Sequence, residues 1–118
     1  MEFRADKGKV DEFLEEFKET VSQRGLYIIP RRENQTALSE LDIDESTRER
    51  EILGLSVKDY CSGPEPDKDK PGDVWIFGKL IDVREVYIKL KIVKGAGKPR
   101  AICLSFHPAR SRLSFPYK

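Results

Sequence analysis

The chain has 118 residues, enough for one domain with a core that needs neither a disulfide nor a metal to hold it. Hydrophobic residues make up 38% and charged residues 36%, and no apolar run approaches the ~20 residues of a membrane span, which excludes a membrane-embedded class. The net charge of +1 hides an asymmetry: residues 1–73 carry 12 basic against 19 acidic residues (−7), and residues 74–118 carry 10 against 2 (+8). An acidic body behind a basic surface suits a polyanion partner, although two halves that neutralise each other across the fold would give the same count.

The start, MEFRADKGKVDEF, has no secretory signal. Val10, Phe13, Leu14, Phe17 and Val21 then repeat at the spacing of one helical face, with Gly25 at the helix end, so a helix is expected over 7–24. Leu26 to Pro30 reads as a short strand, and Arg31 to Gln35 as a polar linker. Thr36 is the expected cap of a short helix carrying Ala37, Leu38 and Leu41; Asp44 caps another that runs through Arg48 to Leu53 and stops at Gly54. Ser56 begins a further turn that buries Val57 and Tyr60.

Residues Gly63–Asp73 (GPEPDKDKPGD) read as an exposed loop. Asp67 to Gly72 has the D-x-D-x-x-G opening of a calcium loop. Pro71 and Gly78 stand where the fifth-position ligand and the twelfth-position glutamate belong, so no metal is expected there. Val74–Leu80, Glu85–Val93 and Ala101–His107 follow as three strands of an antiparallel meander, and residues 108–118 form a basic tail that carries Arg110. The expected class is α+β in a single domain over 1–118, with N-terminal helices on one face of a C-terminal antiparallel sheet. Cys61 and Cys103, without a C-x-x-C pair, fit the reducing cytoplasm.

Alternation sorts each strand into two faces. Val86, Ile88, Leu90 and Ile92, with Ile102, Leu104 and Phe106 and with Val74, Ile76 and Leu80, are expected in the core. The opposite face then gathers Trp75, Phe77, Lys79, Tyr87, Lys89, Lys91, Ser105 and His107, together with Ala101 and Cys103. A three-residue connection, Ile81–Val83, sets Leu80 against Arg84, Phe77 against Tyr87 and Trp75 against Lys89. Between the last two strands Tyr87 falls opposite His107, Lys89 opposite Ser105 and Lys91 opposite Cys103; a two-residue shift that sets Tyr87 against Ser105 is equally allowed. Cations for phosphates, aromatics for bases and a phenol and imidazole for protons are what single-stranded RNA and its cleavage require. The 2′-hydroxyl is a built-in nucleophile, so such cleavage needs a base, an acid and cations, and no cofactor.

Beyond these readings, Ala37-Leu38 with Glu40-Leu41, Leu53-Gly54-Leu55-Ser56 with Asp59-Tyr60, Asp73-Val74-Trp75, Val86-Tyr87-Ile88-Lys89 and Ile102-Cys103-Leu104-Ser105-Phe106 follow one another in a familiar order. Over residues 10–107 the chain resembles the MqsR (motility quorum-sensing regulator) toxin family, which belongs to the RelE-like toxins of bacterial toxin–antitoxin pairs. The resemblance implies a metal-independent endoribonuclease that cleaves messenger RNA and is held by a cognate antitoxin, and it leaves a homodimer open. It implies an active-site role for Tyr87 and a basic active-site position at His107, and Lys89 matches the family lysine two places after the tyrosine. Ser62 and Ile76 depart from it, standing where the family can carry a catalytic lysine and a polar residue; Lys79, Lys68 and Lys70 are the candidate replacements. Tyr87, His107 and Lys79 are therefore the catalytic candidates. Lys89, Lys91, Trp75, Phe77, Ser105 and Arg110 are the RNA-binding ones. The alternatives are a non-catalytic RNA-binding or decayed toxin module and a purely structural interaction domain.

Overall fold

The computed structural model describes residues 4–95 and 97–118; the first three residues and Ala96 of the 94–100 connection lie outside the described residues. Helix α1 spans Lys7–Arg24. The Asp6 carboxylate accepts the Lys9 N–H at 2.9 Å to open it, and Gly25 closes it at φ +84°, a backbone geometry that favours glycine. Its stripe of Val10, Phe13, Leu14, Phe17 and Val21 is buried, as the spacing predicts. Strand β1 (Leu26–Ile28) follows, then α2 (Arg32–Leu41) and α3 (Glu45–Leu53), the last capped by Asp44 through the Thr47 N–H at 2.8 Å. After a single 3-10 turn over Val57–Asp59 come β2 (Tyr60–Pro66), β3 (Asp73–Ile81), β4 (Arg84–Val93) and β5 (Arg100–Pro108).

The class is α+β: three helices in the N-terminal half, then a mostly antiparallel five-stranded sheet in the order β1-β5-β4-β3-β2, with β1 parallel to β5. The helices supply one hydrophobic core against one face of the sheet. Among the described residues no helix is long and apolar enough to cross a membrane.

Four local expectations are corrected. Helix α2 begins at Arg32, not after a linker ending at Gln35, because Asn34 is pulled fully into the protein as a hydrogen-bonding hub. Tyr60–Pro66 is a strand where a turn and loop are expected. As an edge strand with two register shifts it tolerates Pro64 and Pro66, whose missing N–H groups need no partner on that side.

The third correction moves a whole strand face. The β3–β4 connection has two residues, Asp82 and Val83, with Asp82 at φ +57°, so Ile81 joins the ladder opposite Arg84. Phe77 therefore pairs with Ile88, Trp75 with Leu90 and Lys79 with Val86. The slip turns Trp75 and Phe77 into the core, where both stack on Phe13, at 4.4 Å and 6.1 Å between ring centroids. Val74, Ile76, Gly78 and Leu80 take the other face, which we call the outer face.

The fourth lies in β5. Lys89 pairs with Ser105 but Leu90 pairs with Cys103, so Leu104 is an extra residue that forms a bulge. Beyond the bulge the alternation reverses. Ala101 and Cys103 are buried in the core, and Lys91 faces Ile102 instead of Cys103.

Candidate functional site

Strands β4 and β5 place Tyr87 directly opposite His107, with Lys89 opposite Ser105 in the next outward-facing row. The two rings stack at 5.4 Å between centroids and 26° between planes. A cavity of about 310 Å³ opens beside them, between β4, β5, the first turn of α2 and residues 109–113. Other hollows are larger, up to about 470 Å³, but His107, the chain's one histidine, lines this one.

The hydrogen bonds around His107 assign its tautomer. Nδ1 lies 3.0 Å from the Pro108 carbonyl oxygen, which can only accept, so Nδ1 carries the proton in the neutral ring. Nε2, the other ring nitrogen, faces the Glu33 carboxylate 3.8 Å away, an ion pair when the ring carries a second proton. Glu33 is in turn ion-paired with Arg110. The ring is thus held between a strand carbonyl and a carboxylate anchored from the tail. Tyr87 is the complementary case: burial first, then the nearby Glu65 and Cys61, pushes its phenol above the ordinary tyrosine value, so it keeps its proton. Lys89 and Arg31 line the same cavity, and neither has an ion-pair partner among the described residues. Cys61 is pushed up to about 12 by burial and stays a thiol near neutrality.

Asn34 sets this geometry from behind. Its side-chain amide donates to the Ile29 and Leu104 carbonyls, both at 2.9 Å, and its carbonyl accepts the Phe106 N–H at 2.9 Å. Strand β1 ends at Ile28 and the chain turns away at Pro30, so β5 would otherwise have a buried edge without a partner. The amide takes over where the strand stops. Ser105 and His107 flank Phe106, so this contact fixes the segment that carries both.

Of the sequence-derived residues, Tyr87, His107, Lys89, Ser105 and Arg110 come together around the cavity. Trp75, Phe77 and Lys79 do not: the one-residue register difference puts them on the helix-covered face, where Lys79 Nζ lies 3.4 Å from Glu51. Lys91 shares the outward-facing side of β4 but is only 4% exposed, its ammonium donating to Asp67 at 2.6 Å. It pins the 67–72 loop instead of waiting for a phosphate. Arg31 and Glu33 escape the sequence reading because residues 31–35 look like linker; a carboxylate in a helix first turn was their one available signal.

The Lys91–Asp67 pair has a measurable signature. The Lys91 hydrogen bond first, then the Asp69 N–H, holds the Asp67 carboxyl at about 2. A depressed carboxyl stabilises the fold fully above its unfolded value of ~3.9 and progressively less as pH falls toward the folded value. Asp67→Asn is expected to lower the melting temperature at neutral pH and to flatten its dependence between pH ~4 and ~2. Parallel melting curves for both proteins across that window would show that the pair does not contribute.

The C-terminal residues after β5 cross the outer face. The Leu113 N–H donates to Glu85 at 3.2 Å, and Leu113 and Phe115 lie on Gly78, where a Cβ would come within 3.0 Å of the Phe115 ring. Tyr117 stacks on Tyr60 at 5.7 Å. The tail thus walls one side of the cavity and leaves the β1 side of the sheet uncovered. No family model, curated protein or solved structure matches the chain in comparisons with known proteins.

Proposed function

We propose that the chain is an endoribonuclease that cleaves single-stranded RNA at the Tyr87–His107 cavity without a metal. The observation that carries the reading is two directly opposed, stacked rings at one cavity: an imidazole anchored at Nδ1 by the Pro108 carbonyl, and a phenol that burial keeps protonated. Nε2 takes the proton of the 2′-hydroxyl, the 2′-oxygen attacks the adjacent phosphorus, and Tyr87 gives its proton to the departing 5′-oxygen. The products are a 2′,3′-cyclic phosphate and a 5′-hydroxyl. Lys89, Arg31 and Arg110 stand where charge builds on the non-bridging oxygens. The resemblance to the MqsR-like, RelE-related toxins points the same way. Under it the substrate is messenger RNA, the compartment the cytoplasm and the controlling partner a cognate antitoxin.

A second reading, a module that binds RNA without cutting it, is favoured by one row of the sheet. Ser62 pairs with Ile76, and Ile76 pairs with Lys89, next to the cavity. These two positions are where the resemblance implies a lysine and a polar group, and both are apolar or uncharged here. Incubation with single-stranded RNA in excess EDTA separates the readings. Cleavage with cyclic-phosphate ends supports the enzyme, whereas a mobility shift with intact RNA supports the module. In either case Lys89→Glu is expected to weaken RNA binding and to reduce the slope of log K against log salt by about one unit. An unchanged slope would mean that Lys89 touches no phosphate.

A further inference from the structure

The bulge at Leu104 brings to the outer face a group of residues that simple alternation would hide. Beyond it, Ile102 and Arg100 turn outward opposite Lys91 and Val93. Strand β1 joins in parallel with Tyr27 beside Ile102, while Leu26 and Ile28 pack toward the core, so Tyr27 points the same way. Tyr27 is 47% exposed, the most exposed aromatic residue described. The Arg100 guanidinium lies over its ring, 5.6 Å from the centroid. Arg24 and Arg100 border a hollow of about 470 Å³ at this ring, and neither pairs with a carboxylate among the described residues. An aromatic plane left in solvent, with a guanidinium over it and a second arginine beside it, offers a π face and positive charge side by side.

From the Tyr87–His107 pair to Tyr27 the path runs four residues along the sheet and one strand across from β5. At ~3.3 Å per residue and ~4.8 Å per strand this is roughly 14 Å, the reach of a few nucleotides. Lys89 stands between the two ends on the same face.

We infer that Tyr27 and Arg100 form a stacking platform for an unpaired base of the RNA strand, a few nucleotides from the bond held at the Tyr87–His107 cavity. The inference rests on the RNA-cleavage reading above and names a subsite for it. Stacking on an aromatic ring tolerates any base, so the platform holds the strand in register without reading its sequence. The arginines steer the phosphates on either side of the stacked base. Tyr27 is a positioning residue: it binds the strand and takes no part in proton transfer.

The test uses a dye-labelled single-stranded RNA of about 12 nucleotides, with wild type, Tyr27→Ala and Tyr27→Trp. Tyr27→Ala is expected to raise Kd and KM by about 5- to 150-fold and to leave kcat at saturating RNA unchanged, whereas Tyr27→Trp binds like wild type. An abasic sugar moved along the strand should cost wild type that same factor at one position and cost Tyr27→Ala nothing there. If wild type cuts the RNA and Tyr27→Ala binds it equally well, the platform is overturned and the cleavage reading stands. If binding depends on Tyr27 but wild type leaves the RNA intact, the platform stands and the cleavage reading falls. If wild type neither binds nor cuts, both fall.

Discussion

Replacing His107 by Asn is expected to cost ~10²–10⁴ in the single-turnover rate of RNA cleavage, with RNA affinity and melting temperature close to wild type. The asparagine amide nitrogen sits near the position of the imidazole Nδ1 and can keep donating to the Pro108 carbonyl, so the local strand geometry is retained. What disappears is Nε2, the nitrogen proposed to take the 2′-hydroxyl proton. Tyr87→Phe should cost a similar factor, because it removes one oxygen and leaves the ring stacked on His107. The two losses should not add fully, since acid and base act on one transition state. There is also a pH signature. An acid whose value lies above tyrosine's ordinary ~10 stays protonated until the solution passes that point, so the Tyr87-dependent fall in rate belongs on the far alkaline side and should vanish in Tyr87→Phe. Undiminished cleavage by both variants would remove the proposed mechanism even if the RNA still binds.

Asn34→Leu is expected to be the most damaging single change to stability. The leucine is close in size but takes the Asn34 partner from the Leu104 carbonyl and the Phe106 N–H, while the Ile29 carbonyl keeps the Arg31 N–H at 2.8 Å. A buried polar group stripped of its hydrogen bond costs ~1–3 kcal/mol, less for carbonyls than for N–H groups, so a loss of ~2–5 kcal/mol follows from the two. That is a large part of the ~5–15 kcal/mol that holds a domain of this size. The midpoint of denaturant unfolding reads it directly. A shift worth under ~1 kcal/mol would mean that water reaches this edge and satisfies it.

The elements whose residues say one thing were legible in advance. Helix α1 declares itself because its five apolar positions fit a helical face and nothing else, and β4 because Val86, Ile88, Leu90 and Ile92 alternate with Tyr87, Lys89 and Lys91. That clean alternation puts Tyr87 and His107 on one face and leaves two registers open, of which the fold takes the one with Tyr87 opposite His107. Strand β3 is different. Val74 and Ile76 on one parity and Trp75 and Phe77 on the other are both apolar, and in the fold both sets are buried or nearly so. Only the length of the following turn decides between them, and a two-residue turn with Asp82 in a left-handed conformation looks the same as a three-residue one until the backbone is seen. The cavity was half visible for a similar reason. Its strand residues obey alternation, whereas Arg31, Glu33 and Asn34 arrive from a helix that starts without a side-chain cap. The departure of Lys91 could not be read at all, since its partner Asp67 is 24 positions away in a loop.

The extra residue at Leu104 gives β5 two reading frames. In a regular strand every side chain is tied to every other by one phase, so surface chemistry at one end dictates burial at the other. Here Phe106 and Cys103 both enter the core although three positions separate them, and Ser105, His107, Ile102 and Arg100 all take the outer face, where Ser105 and His107 are buried in turn. One strand can therefore be tuned as two short words, one holding the proton-transfer histidine and the other the arginine beside Tyr27. The Asn34 amide anchors the strand at the break: it holds the Leu104 carbonyl and the Phe106 N–H, which flank Ser105. Drawing Leu104 into the ladder opposite Leu90, with no bulge, would act as a frameshift confined to folded space. The words would merge, and Arg100 would be addressed to the core.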